Sequence, residues 1–227
     1  MSGYGQFCPV AKAMEILDER WTMLVVRELL EGSRHFNDLR RGVPKMSPAL
    51  LSKRLQTLIR VGVVERSQAG GRTSYTLTEC GRELNDVVQA LGAWGLRWLP
   101  EVGDEDLDPH LLMWDIHRKL PLDDWPRQRT ALAFRFRDVA PKASAWWLTV
   151  ADGRADVCDV DPGCEVAATI TCGLRSLTEV WRGDRSWQRA LLDGSVTIDA
   201  PPEVRRAVPE WIGQSRLAAV ARTAQHG

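Results

Sequence analysis

Apolar residues recur at helical spacing through the first hundred positions and alternate with a period of two beyond residue 130. The pattern predicts helices first and a sheet later. Val10, Ala13, Met14 and Leu17 form the first stripe, behind Pro9 at a first helical position. A second, mostly apolar helix is expected over 21–30, ending at Gly32. A short third begins near Phe36, with Phe36 and Leu39 inward and Arg40 and Arg41 outward, before Gly42 and Pro44 break it. Ser47 followed by Pro48 signals the start of a fourth helix that Gly62 terminates. At about 100° per residue, Leu51, Leu55, Leu58 and Ile59 share one arc of it. Ala49, Ser52, Lys53, Gln56 and Arg60 take the opposite side, a short basic stripe able to hydrogen-bond.

Two strand-like runs, 63–67 and 74–78, follow and are joined across Gly70-Gly71, which predicts a hairpin. The next helix, over 79–98, carries Leu84, Val87, Val88, Leu91, Trp94 and Trp98 on one stripe, with Gly92 and Gly95 among them. Each interior glycine costs roughly 1 kcal/mol against alanine. Close approach of a second helix would offset that cost, so this stripe is expected to form a dimer interface. Residues 100–109 are acidic and rich in turn formers, as a linker would be, and a helix carrying Trp114 is expected over 111–120. Leu132, Phe134 and Phe136 then alternate with Ala133, Arg135 and Arg137, and Trp146, Leu148 and Val150 alternate likewise, with Trp146 inward. Asp152-Gly153 marks a hairpin, and Val166, Ala168, Ile170 and Cys172 share a later strand face. Helical patterns at 176–181, 186–192 and 202–211 surround a last strand near 196–198. The expected fold class is α+β. Residues 1–99 form a winged helix-turn-helix domain and 100–129 a linker with one helix. Residues 130–227 are expected to form a sandwich-like domain of about five mainly antiparallel strands with helices on one side.

Charge sharpens the first half. Residues 1–100 hold 14 Lys/Arg and 10 Asp/Glu, while 101–227 hold 16 and 20, so a zero net charge conceals halves of opposite sign. Nine basic and two acidic side chains lie between Arg34 and Arg72. A basic helix followed by a hairpin wing suits the major groove of double-stranded DNA. Ser47, Ala49, Ser52, Lys53 and Gln56 are the expected base readers. Arg40, Arg41, Lys45, Arg60, Arg66 and Arg72 are the expected backbone and wing contacts. A homodimer would read a near-palindromic operator with half-sites about 34–36 Å apart or a multiple of that.

Three blocks resemble the HxlR family of winged helix-turn-helix regulators. They are CPVAKAMEILDERWTMLVVREL from Cys8, FNDLRRGVPKMSPALLSKRLQTL from Phe36 and SYTLTECGREL from Ser74, with Trp94 beyond them. The resemblance implies a dimeric DNA-binding repressor or activator. Its wing tip usually carries a proline turn, whereas this chain has Ala69-Gly70-Gly71-Arg72. Some family members sense oxidants or electrophiles through a cysteine at the position of Cys8, which makes Cys8 a possible redox thiol. Residues from about 130 to 213 resemble a sterol-carrier-protein-type domain, on the strength of the stretch from Trp146 to Ile198 with LTEVWRGD and ALLDG. That implies a cavity for a small apolar or lipid-like effector, for which Trp114, Phe134, Phe136, Trp146, Trp181 and Trp187 are candidate lining residues. Arg175 and Arg182 are candidates to meet an anionic head group, although solvated helix charges are the commoner case.

Catalysis finds little footing. The five cysteines include no CxxC pair, the four histidines are scattered, and no Ser/His/Asp order, phosphate loop or zinc spacing occurs. Asp152, Asp156, Asp159 and Asp161 are explained by hairpin turns. Neither metal, cofactor nor enzymatic activity is expected. No run approaches ~18 apolar residues and the N-terminus lacks a signal-peptide pattern, so a cytoplasmic protein without membrane contact is expected. The competing reading is a lipid carrier that uses the winged module only to dimerise.

Overall fold

Residues 3–99 and 102–220 are described by the computed structural model, which divides into two compact units, Met1–Trp94 and Gly95–Gly227. The first contains α1 (Pro9–Leu17), α2 (Thr22–Leu30), α3 (Phe36–Gly42), α4 (Pro48–Arg60), β1 (Val64–Ala69), β2 (Arg72–Leu77) and α5 (Glu79–Trp98). The last turn of α5 crosses the division. The inward arc of α4 joins residues from α2, α3 and the hairpin in one core that includes Val26, Leu39, Leu55 and Val64. The apolar stripe of α1 is periodic as expected but buries nothing: Val10 and Met14 face solvent. On α5 only Leu84 and Val88 lean on the core. Val87, Leu91, Trp94 and Trp98 are exposed.

The second unit contains α6 (Pro109–His117), β3 (Thr130–Phe136), β4 (Ala145–Ala151), β5 (Arg154–Cys158), β6 (Ala168–Cys172), α7 (Leu174–Arg182), α8 (Trp187–Leu192), β7 (Val196–Asp199) and α9 (Pro202–Ile212). Its five strands run in the order β5-β4-β3-β6-β7. Three neighbouring pairs are antiparallel; β3 and β6 are parallel, through a crossover past β4 and β3. One parity of the strands, including Phe134, Trp146, Leu148 and Ile170, shares a core with residues of α6, α7, α8 and α9. Trp147 lies on the other face, with the Arg135 guanidinium 4.5 Å from its ring.

The 100–129 stretch differs from the expected linker. Pro100 and Glu101 lie outside the described residues. Beyond them Leu112, Met113, Ile116, Leu120 and Trp125 are buried in the second core. The acidic turn residues are what suggested a linker, yet Asp108 caps α6, its carboxylate accepting from the His110 and Leu111 amides. Arg175 anchors the same stretch, donating to the Val102 carbonyl and pairing with Asp104. It is therefore engaged by the protein itself, as is Arg182, which pairs with Asp184. Gly173 has no side chain to cap α7, and Asp138 supplies the acceptor instead, taking the Leu174 amide at 2.8 Å.

Candidate nucleic-acid interface

The interface is built on α3, α4 and the hairpin. Ser47 caps α4, its hydroxyl oxygen accepting from the Leu50 amide at 3.3 Å. That bond occupies one of the oxygen's two lone pairs, leaving the other and the hydroxyl hydrogen of this expected base reader for a partner. Leu51, Leu55 and Leu58 are buried, whereas Ala49, Lys53, Gln56 and Arg60 are exposed and Ser52 is half-buried. The expected reading stripe is thus one continuous outward face. Arg40, Arg41 and Lys45 are also exposed, on and just after α3.

The periodicity missed one residue of α4. Arg54 is buried, its Nε donating to the Arg20 carbonyl at 3.0 Å and its guanidinium paired with Glu19. It therefore leaves the nine-cation patch. The signal was present in the sequence: Arg54 stands about 60° from Leu51 on the helical wheel, just beside the inward arc and far from the middle of the outward stripe. A second pair secures α3. Arg27 binds the buried Glu28 carboxylate and donates to the Gly42 carbonyl at 2.9 Å.

The hairpin register sets Ala69 opposite Arg72, so Gly70 and Gly71 alone make the turn, with φ of 57° and 76°. Two successive positive φ values define a type I′ turn, which glycine adopts without steric cost. The absent proline of the family pattern is thereby explained: this wing is a tight hairpin. Ser67 and Ser74 face one another across it, hydroxyl oxygens 2.7 Å apart. Arg66 pairs with Tyr75, whose ring packs on the core, while Arg72 lies on the Ser67/Ser74 side. The two wing arginines are exposed on opposite faces of the ribbon and are not brought together. A short strap holds the ribbon, with the Tyr75 amide donating to the Arg34 carbonyl at 2.8 Å and a His35 ring nitrogen 3.0 Å from the Thr73 carbonyl.

The HxlR-like helix-turn-helix family pattern matches residues 16–102, spanning all of these elements from the end of α1 to the end of α5. YvaP, an HTH-type transcriptional regulator of Bacillus subtilis (strain 168), is 35% identical over 98 residues, 41% of this chain and 91% of YvaP. The chain belongs to the HxlR-like helix-turn-helix family. Mb3122, an HTH-type transcriptional regulator of Mycobacterium bovis, is 41% identical over 96 residues, which make up 40% of this chain and 59% of that protein. Among solved structures, the reduced form of the transcriptional regulator YodB from B. subtilis is 32% identical, covering 44% of this chain and all of that one with a TM-score of 0.37.

Elsewhere, Cys8 stands at the N-cap of α1, half-buried, with no side-chain cap bond. The six aromatic residues expected to line a cavity are all buried. All but Trp114 belong to the single apolar cluster of the second unit. Several indole N–H groups are satisfied internally: Trp146 donates to the Ala143 carbonyl, Trp181 to Asp115 and Trp187 to the Gly213 carbonyl. Of the aspartates, Asp161 closes its turn onto the Gly163 amide at 2.8 Å, and Asp152 takes the left-handed conformation of the β4–β5 hairpin. Among the described residues, no group of three His, Cys, Asp or Glu side chains is placed to hold a metal, and no helix is long and apolar enough to cross a membrane.

Proposed function

We propose that the protein is a dimeric, sequence-specific DNA-binding transcriptional regulator with α4 in the major groove and the wing beside it. One observation carries the reading: the polar face of α4 stands open beside a tight hairpin wing, in a chain of the HxlR family. Ser47, Ala49, Ser52, Lys53 and Gln56 face the bases, and Arg40, Arg41, Lys45, Arg60, Arg66 and Arg72 contact phosphates. No catalytic step is assigned. The test is titration of the full chain with DNA from its own upstream region over a range of salt. Each phosphate contact contributes just under ~1 to the slope of log affinity against log salt. Lys53→Ala should lower both affinity and sequence preference; retention of both would overturn the assignment.

The second unit is, in this reading, a sterol-carrier-like module that responds to a small apolar effector, supported by its concentration of buried aromatic residues. An effector acts only through different affinities for the DNA-competent and incompetent states. Mass spectrometry of apolar molecules that co-purify tests it directly. A lipid carrier would change its tryptophan fluorescence with lipid and show no salt-dependent DNA binding. The uncapped, half-buried Cys8 at the start of α1 supports a second input, thiol oxidation or alkylation. Cys8→Ser should abolish any response of DNA affinity to an electrophile.

A further inference from the structure

Arg54 carries the one guanidinium of α4 that points into the protein, 7% exposed on the side of Leu51, Leu55 and Leu58. Both of its partners, the Arg20 carbonyl and the Glu19 carboxylate, belong to the turn between α1 and α2. The next residue, Trp21, has φ of 79° and is, with Asp152, one of two non-glycine residues at positive φ among the described residues. A bulky side chain rarely adopts that conformation and keeps it only where the surroundings impose it. The Arg20 carbonyl shares a rigid peptide plane with the Trp21 amide. Any rotation that relaxed Trp21 to negative φ would swing that carbonyl away from Arg54.

Apolar contact at the three leucines presses α4 onto the core but is non-directional. Hydrogen bonds to a planar guanidinium are directional. The geometry points to Arg54 as a positioning residue for DNA reading: through Glu19 and the Arg20–Trp21 peptide it fixes the rotation of α4 that presents Lys53 and Gln56 to base edges. The inference rests on the DNA-binding reading above. Arg54 itself touches no DNA, so its loss removes discrimination between sequences while the phosphate contacts remain. The same bonds tie the end of α1 to the reading helix, so a displacement of α1 reaches Lys53.

The experiment compares full-length wild type, Arg54→Lys, Arg54→Met and Glu19→Gln on two duplexes over a range of salt. One duplex is the sequence that the wild-type protein selects from a random pool, and the other is its scrambled version. The ratio of the two affinities should fall about tenfold or more in the Arg54 variants, the scale of one misread base pair, and by less in Glu19→Gln. The salt slope should stay unchanged. A ratio within about twofold of wild type in every variant overturns the assignment. So does equal weakening on both duplexes, the mark of a merely structural role, and so does a slope reduced by about 0.9, the mark of a phosphate contact. If Arg54→Met fails to fold, the two milder substitutions decide. A wild-type protein that selects no sequence defeats the DNA-binding reading itself. A discriminating wild type with equally discriminating variants defeats only the role of Arg54.

Discussion

A β-carbon on Gly81 would lie 2.2 Å from the carbonyl oxygen of Val63. The first turn of α5 is therefore pressed against the backbone at the base of the wing. Thr78 completes the junction: its hydroxyl donates to the Gly62 carbonyl at 2.7 Å and accepts from the Gly81 amide at 3.2 Å. Alanine at position 81 would gain roughly 1 kcal/mol of helix propensity, but the clash is with backbone that cannot rotate aside. Gly81→Ala should destabilise the first unit by about 1–3 kcal/mol, the usual range for overpacking. It should also loosen the wing. Chemical denaturation checks the first effect, and faster amide exchange along β1 and β2 checks the second.

Asp115 supplies a pH-dependent contribution in the second unit. One carboxylate oxygen meets Lys119 at 2.9 Å and Arg118 at 3.0 Å, and the other accepts from the Trp181 indole at 2.8 Å. Burial pushes its pKa up, but Lys119, Arg118 and the Trp181 hydrogen bond outweigh burial and hold it below the usual carboxylate value. A depressed folded pKa contributes stability that is present above the unfolded value of about 4 and is lost as pH falls through the folded one. Asp115→Asn should cost about 1–3 kcal/mol at neutral pH. The gap from wild type should close as the medium is acidified below about pH 4. Denaturation followed by tryptophan fluorescence reads both.

These junctions explain how far the sequence could be read. The helices, the hairpin and the outward stripe of α4 follow from local periodicity and caps, which neighbouring residues encode. Arg54 escaped because a charged residue on an amphipathic helix is taken for the solvent side; its partners lie some 34 residues earlier in the chain. The parallel β3–β6 pair was invisible for the same reason, since alternation identifies strands and faces but not neighbours. The helix within 100–129 was legible from its spacing, but its burial of Leu112, Met113 and Ile116 in the second core was not, because the acidic turn residues before it read as a linker. In each case the deciding contact is distant in sequence.

Cys172 gives a contrast in thiol chemistry that can be measured directly. Burial, with Asp138 nearby, pushes its thiol up to about 12. It is fully buried on β6, whereas Cys80 is exposed and Cys8 half-buried. The thiolate is the reactive species. A raised folded pKa contributes stability present below the unfolded value of about 8.5 and lost as pH climbs towards the folded one. Alkylation of the native protein at pH 8 should label Cys80 and Cys8 well before Cys172, which should react only on unfolding. Peptide mass spectrometry after timed quenching gives the order. The second unit should also lose stability above about pH 8.5.

One face of α5 is open to solvent. Leu91, Trp94 and Trp98 are 53%, 55% and 54% exposed, on the same stripe as Val87. Scattered exposed apolar residues need no explanation, but a continuous helical stripe ending in two tryptophans is expected to be an interaction surface. A second copy is the occupant that symmetry favours, because one patch can cover itself about a two-fold axis. Among the described residues Trp94 belongs to neither apolar core, so Trp94→Asp should leave folding stability within about 0.5 kcal/mol of wild type. It should nevertheless shift the sedimentation profile from dimer to monomer. A monomer engages one half-site at a time and forgoes the effective concentration that linkage provides. Affinity for a two-half-site duplex should then fall by far more than affinity for a single half-site. Equal losses on the two duplexes would place α5 outside the assembly that reads DNA, and a wild-type protein that sediments as a monomer would remove the paired reader altogether.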